Sequence, residues 1–248
     1  MTGFDNEVVV VTGAGGGIGR ATARRFAREG AVVVAADPDK DRAIETVEAI
    51  TAFGGAATPW AVDVADRAAM ADFAEDVHAE FGPPRVLVNT AGYATDGPFL
   101  DHTREDWERL MGVNVWGLVH GSTFFGRQMV ASGRGGRIIN VTSVAAFAPA
   151  AMSTPYRTTE AAARMLTEGL RLEFAGTGVG VTALCPAPVD TGSDDEGELD
   201  RVAHTIVRVA ARHPTVAPTS LRARALYLLS RIDGLVEKRL ERRHIADR

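Results

Sequence analysis

A single cysteine, Cys185, occurs in the 248 residues, which excludes an intrachain disulfide framework and fits a reducing compartment. No apolar run approaches the roughly 18 residues needed to span a bilayer. An excess of basic residues is also missing. Lys and Arg number 27 against 32 Asp and Glu, a net charge of −5, which argues against nucleic acid as the main partner. The stretch Met1–Glu7 carries Asp5 and Glu7 and no basic region, so no secretory signal is expected and the cytoplasm is the expected location. The six histidines show no metal-ligand spacing with one another or with Cys185, so no metal is expected. Internal repeats, low-complexity tracts and long Pro/Gly linkers are absent. What is present is ordinary for a globular protein, 46% apolar and 24% charged residues, in a chain long enough to bury a sizeable core.

Short β-branched runs recur with room for one helix between them. Strands are expected at 7–12, 31–36, 57–62, 85–89, 136–143 and 179–185. Helices are expected at 18–29, 41–53, 66–81, 103–131, 154–175 and about 199–212. Runs that are apolar throughout, such as Val8–Val11, suit a sheet covered on both faces. Strands separated by helices imply right-handed crossovers and a parallel, doubly wound α/β sheet of the Rossmann type. The whole chain, 1–248, reads as one domain, with a variable loop and C-terminal helices from about residue 193.

The first strand runs into Thr12-Gly13-Ala14-Gly15-Gly16-Gly17-Ile18-Gly19, and a helix follows at once. Glycines there permit a tight turn and let the backbone approach a pyrophosphate, while the helix N-terminus supplies N–H donors. No Lys-Ser or Lys-Thr follows, which excludes a nucleoside-triphosphate loop. Asp37 ends the second strand, 18 residues beyond Gly19. A carboxylate at that point can accept hydrogen bonds from both adenosine ribose hydroxyls and would repel a 2′-phosphate; it can equally serve as a helix cap in Asp37-Pro38-Asp39. No Arg or Lys lies between Gly13 and Gly19, so NAD is expected over NADP.

Several further motifs in order resemble the short-chain dehydrogenase/reductase family over roughly Phe4 to Gly192. Gly13, Gly17 and Gly19 match its TGxxxGxG turn. Asp63-Val64 resembles the pair at the adenine ring, and Asn89-Thr90-Ala91-Gly92 resembles its NNAG motif with Thr90 for the second Asn. Asn114 matches the active-site asparagine, Ser143 and Tyr156 have the family's 13-residue spacing, and Pro186-Ala187-Pro188-Val189-Asp190-Thr191 resembles the segment beside the nicotinamide. The resemblance implies that Thr12, Gly13, Gly17, Ile18, Gly19, Asp37, Asp63, Val64, Asn89, Ala91, Gly92, Tyr156, residue 160, Pro186, Val189 and Thr191 bind the cofactor. It implies that Tyr156 is the acid/base, that Ser143 orients the substrate oxygen and that Asn114 supports a proton path. A homodimer or homotetramer is implied too, with helices 103–131 and 154–175 paired across a two-fold axis.

One position departs from the family. Its Tyr-x-x-x-Lys pattern reads Tyr156-Arg157-Thr158-Thr159-Glu160 here. A lysine about 5 Å from the phenol would favour tyrosinate by roughly 3 kcal/mol at an effective dielectric of about 20. Glu160 acts in the opposite sense, although it can accept hydrogen bonds from ribose hydroxyls. Arg164 has the i,i+4 spacing to pair with it, and Arg157 is expected to point to another face of the helix. The activity expected is interconversion of an alcohol and a carbonyl on a small or lipophilic substrate. The alternative is a protein of this fold whose redox role is lost or altered, with the pocket used for dehydration or cyclisation or with NAD held structurally. Cys185 reads as a small buried apolar residue. Residues 222–248 carry eight Lys/Arg and four Asp/Glu on an amphipathic pattern expected to pack on the domain or a second subunit.

Overall fold

The computed structural model describes residues 3–187, 196–212, 216–218, 225, 227 and 228. Seven parallel strands form one sheet in the order β3-β2-β1-β4-β5-β6-β7. They are β1 (Val8–Thr12), β2 (Val32–Asp37), β3 (Ala56–Ala61), β4 (Val86–Asn89), β5 (Gly136–Val141), β6 (Val179–Cys185) and β7 (Val216–Pro218). The helices are α1 (Gly17–Arg28), α2 (Lys40–Thr51), α3 (Arg67–Phe81), α4 (Arg104–Met111), α5 (Gly117–Ser132), α6 (Thr154–Glu173) and α7 (Glu196–Arg212).

Strand residues alternate between two apolar layers, because successive side chains leave opposite faces of a sheet. Val9, Val11, Val33, Val88 and Ile139 pack with Phe26, Ile50 and Ile206 on one side. Val10, Val34, Leu87 and Ile138 pack with Met70, Phe73, Phe125 and Met129 on the other. Both faces are dry, as the unbroken apolar runs of β1 and β2 require. Asp39 caps α2 by accepting from the N–H groups of Asp41 and Arg42, and Asp66 caps α3 in the same way. The capping role left open for Asp37 therefore falls to Asp39.

Three expectations are corrected. The sheet has a seventh strand: β7 pairs parallel to β6 with Ala183 opposite Val216. Its three residues, Val216-Ala217-Pro218, are too few to show a period. The helix expected over 103–131 is interrupted by one π turn, Gly112–Trp116, between α4 and α5. β5 stops at Val141, and Ser143 instead opens a 3₁₀ turn, Val144–Phe147, its Oγ accepting from the Ala145 N–H. Most of the basic C-terminal segment lies outside the described residues. Among the described residues, no helix is long and apolar enough to cross a membrane and no cluster of His, Cys, Asp and Glu could hold a metal.

The winding reverses between β1 and β4, which pair with Thr12 opposite Asn89. Connections from the two halves leave in opposite directions there and open a crevice at the carboxyl ends of the strands. The glycine turn, Asp37, Ala91-Gly92 and Ser143 follow the carboxyl ends of β1, β2, β4 and β5 along that edge.

Candidate active site

At one end of the crevice the glycine turn is closed to side chains. Gly13 has φ of +66°, and a Cβ there would lie 2.8 Å from the Ala91 backbone; a Cβ on Gly19 would collide with the Gly13 carbonyl. No side chain caps α1, so its first-turn N–H groups stay open to an anion. Asp37 is buried at the tip of β2, accepting from Gly15 N–H at 2.9 Å and from Asp39 N–H at 3.1 Å. Arg20 braces the turn from beneath, donating to the Gly15 carbonyl at 2.7 Å and to Glu45 at 2.8 Å. Helix α2 brings a cation to the turn that the turn's own residues lack. The Arg42 guanidinium lies against Gly16, where a Cβ would strike it. The sequence signal was its place in the first turn of the helix that follows Asp37.

The other nucleotide candidates divide. Thr12 is buried at the end of β1, its carbonyl accepting from the Thr90 hydroxyl. Ile18 packs into the core from the start of α1. Asp63 is exposed and accepts from Ala65 N–H at 2.9 Å, while Val64 is buried beside Gly117 with its carbonyl on His120 Nδ1 at 2.9 Å. Ala91 and Gly92 continue from β4 along the crevice, against Gly13 and near Asn114. The Asn89 side chain turns inward. Its side chain is 2% exposed and donates to Asn140, which donates to Thr167 of α6. This polar ladder ties β4 to β5 and to α6 inside the protein.

At the other end, Asn114 sits within the π turn and is fully engaged. It accepts from Tyr93 N–H at 2.8 Å and donates to the Tyr93 carbonyl at 2.8 Å and to Thr159 Oγ1 at 3.0 Å. The extra residue of a π turn re-aims its side chain, and here that side chain fastens the loop after β4 to α6. Next to Thr159, on the same helix, Glu160 and Tyr156 are one turn apart. The Tyr156 hydroxyl lies close enough to Ser143 and Glu160, and the Glu160 carboxyl close enough to Ser143, for each to shift the other's proton affinity. The structure thus gathers Asn114, Ser143, Tyr156 and Glu160 at one point. Pro186 is buried beside them, its carbonyl accepting from Val144 N–H at 3.0 Å. Val189 and Thr191 lie outside the described residues.

Two expectations about charge change. Arg164 does not neutralise Glu160; it pairs with Glu168 at 2.6 Å, the partner at equal spacing on its other side. Arg157 turns away to Ser153 and the Ala148 carbonyl, as expected. Glu160 is only 6% exposed and its Oε2 is buried without a hydrogen-bond partner. Burial raises its pKa from 4.5 to about 8, against the opposing pull of the Ser143 N–H and the Tyr156 hydroxyl. At neutral pH it is mostly a neutral acid rather than the carboxylate the sequence alone suggested. Burial, and then the charge of Glu160 when ionised, push the Tyr156 phenol above its ordinary range, against the pull of Ser143 and Arg157. Cys185 is fully buried, its thiol pushed up by burial to about 11, with Thr142 Oγ1 at 3.2 Å.

With this geometry in view, the pattern of the family described as short chain dehydrogenase matches residues 7–201. The chain belongs to that family. It is 40% identical, over 92% of its length, to the Mycobacterium tuberculosis protein named "Probable oxidoreductase EphD", of which it spans 43%. The chain thus spans less than half of that relative. The apo form of LigD from Sphingobium sp. strain SYK-6 superposes with a TM-score of 0.86 at 30% identity, covering 94% of this chain and 97% of that one. A short-chain dehydrogenase/reductase from Burkholderia phymatum, in complex with NAD, gives 0.83 at 27% identity, with 93% and 94% covered.

The Glu160 burial predicts a pH dependence of folding. Between its ordinary pKa of 4.5 and about 8 the native protein holds a proton that the unfolded chain has released, so stability falls as pH rises through that window. The loss is about 5 kcal/mol at most. Urea unfolding from pH 5 to 9 should show this decline in wild type and a flatter profile in Glu160→Gln. Equal slopes in both would contradict the assignment.

Proposed function

We propose that the chain is an NAD(H)-dependent oxidoreductase that interconverts an alcohol and a carbonyl on a small or lipophilic substrate. The observation that carries this reading is the convergence of Ser143 and Tyr156 at the crevice whose other end is the glycine cradle. That cradle fits a dinucleotide: the turn is packed too tightly for a Cβ on Gly13 or Gly19, which would meet the Ala91 and Gly13 backbone, and the α1 N-terminus is uncapped. Bound NAD would supply the hydride acceptor, and NADH the donor.

Each residue then has a task. Gly13, Gly17 and Gly19 admit the pyrophosphate, and Asp37 receives the adenosine ribose hydroxyls. Arg42 would attract a 2′-phosphate and Asp37 would repel it; Asp37 is buried and held by two N–H donors, so NAD is favoured. Ser143 Oγ accepts from the Ala145 N–H at 3.1 Å, which leaves its O–H free to hold the substrate oxygen. Tyr156 exchanges the proton with that oxygen as charge builds on it. Asn114 fixes the loop after β4 and α6 in one geometry and so supports the proton path. Glu160 stands where the family carries the lysine of Tyr-x-x-x-Lys, and it offers no positive charge to ease deprotonation of Tyr156. Carbonyl reduction, which starts from neutral Tyr156, suffers less from this than alcohol oxidation. The non-redox reading, dehydration or cyclisation in the same pocket or NAD held structurally, draws its support from that substitution alone.

A homodimer or homotetramer accompanies this reading. Trp116 and, on α6, Met165 and Leu172 are more than half exposed in the single chain, as helices paired across a two-fold axis would require. Light scattering at micromolar concentration should return a dimer or tetramer mass, and a monomer mass would oppose it.

The activity is tested by following NADH formation from NAD and a panel of secondary alcohols, and its loss with the matching ketones. Tyr156→Phe should reduce both directions by about 10² to 10⁴. Asp37→Ser should erode the preference for NAD over NADP by roughly 10- to 100-fold. Glu160→Lys should raise alcohol oxidation near neutral pH and move its pH profile down by about two units. Activity intact in Tyr156→Phe would point instead to the non-redox reading.

A further inference from the structure

Glu160 is the one candidate catalytic residue with a buried, unpartnered polar atom, Oε2, beside the Tyr156–Ser143 pair. An oxygen with no hydrogen bond in the protein is satisfied when a ligand supplies a donor or a charge. The ends of the crevice differ in what they can sense. Asp37 lies with the glycine turn, where oxidised and reduced nicotinamide dinucleotides are identical. On the dinucleotide reading, Glu160, Tyr156 and Ser143 would lie by the nicotinamide ring, a cation when oxidised and neutral when reduced.

We propose that Glu160 is a specificity-determining residue that ties the choice between oxidised and reduced cofactor to pH, giving up its proton to solvent when the cationic ring binds and keeping it when the neutral ring binds. This rests on the dinucleotide reading of the crevice. The proton balance is simple. The free protein with a neutral carboxyl and NAD⁺ becomes a complex with a carboxylate and one proton in solution; NADH forms its complex with no proton change. Ribose hydroxyls can donate to the carboxylate or accept from the acid, so they tolerate either form.

The groups around Glu160 leave this assignment to the carboxyl. From its own helix, Tyr156 faces it as a neutral phenol at every pH considered. Arg157 is turned to Ser153 and Ala148, and Arg164 is paired with Glu168. From β6, Cys185 faces it with a thiol that burial keeps protonated. From the π turn, Asn114 reaches Thr159 and carries no charge. Glu160 titrates near 8 in the free protein, so the effect falls in the range around neutrality. As pH rises through that range the NAD⁺ complex tightens relative to the NADH complex, and oxidation is favoured on the alkaline side.

The test measures binding and needs no turnover. Dissociation constants for NAD⁺ and NADH are read by titration calorimetry from pH 6 to 9, in two buffers of different ionisation enthalpy. In wild type, NAD⁺ affinity should rise about tenfold per pH unit up to about pH 8 with release of up to one proton, while NADH affinity stays nearly flat. Glu160→Gln should flatten the NAD⁺ profile and abolish proton release, and Glu160→Asp should restore both. Absence of proton release in wild type, or a slope that survives in Glu160→Gln, would overturn the proposal whether or not the variants fold well. Binding of both dinucleotides with neither slope would leave the oxidoreductase reading standing. Failure of wild type to bind either at any pH would overturn both.

Discussion

The pairing of β1 with β4 is the constraint on which the other features depend. Thr12 faces Asn89 across that pair, and the chain winds outward from it in both directions. Parallel strands deliver all their carboxyl ends to one edge, so the glycine turn after β1, Asp37 after β2, Ala91-Gly92 after β4 and Ser143 after β5 become neighbours although up to 130 residues separate Gly13 and Ser143. No local interaction could bring them together. The apolar layers above and below the sheet hold that edge in register, and their packing is what the β-branched composition of the strands supplies.

A second tier of buried polar contacts sets the finer geometry. The Asn89–Asn140–Thr167 ladder locks α6 to the centre of the sheet. Asn114 locks the same helix to the loop after β4 through Tyr93 and Thr159. Helix α6 is therefore gripped at two points, and Tyr156 and Glu160 project from it into a place where their surroundings are fixed. Directional polar contacts of this kind order side chains more sharply than apolar contact does. Two oxygens beside these contacts, Asn89 Oδ1 and Glu160 Oε2, are buried without a hydrogen-bond partner.

Much of this was legible in the residues. Period and apolar runs located six of the seven strands, because each of those carries at least four residues of pattern. β7, with three, carries none. The interruption of the long helix at Gly112–Trp116 was illegible for another reason: a π turn keeps helical composition and only its hydrogen bonding differs. Asp37 stood out by its place after the second strand, and Ser143, Tyr156 and Glu160 by the family resemblance. Arg42 and the inward turn of Asn89 were missed because both depend on how separate elements pack. The protonation of Glu160 was illegible for the same reason. A glutamate in a sequence is taken as an anion, and only its burial away from Arg164 shows that the neutral acid prevails near pH 7.

Four residues after Tyr156 stands a buried carboxyl whose pKa burial raises, and the electrostatics of this crevice turn on its proton. Infrared difference spectroscopy reads it directly through the C=O stretch of a buried protonated carboxyl. The account predicts such a band in the wild-type protein at pH 7, lost as pH passes through about 8 and absent from Glu160→Gln. A wild-type spectrum without a Glu160-dependent band at pH 7, or one in which that band is lost near the ordinary glutamate value, would contradict it.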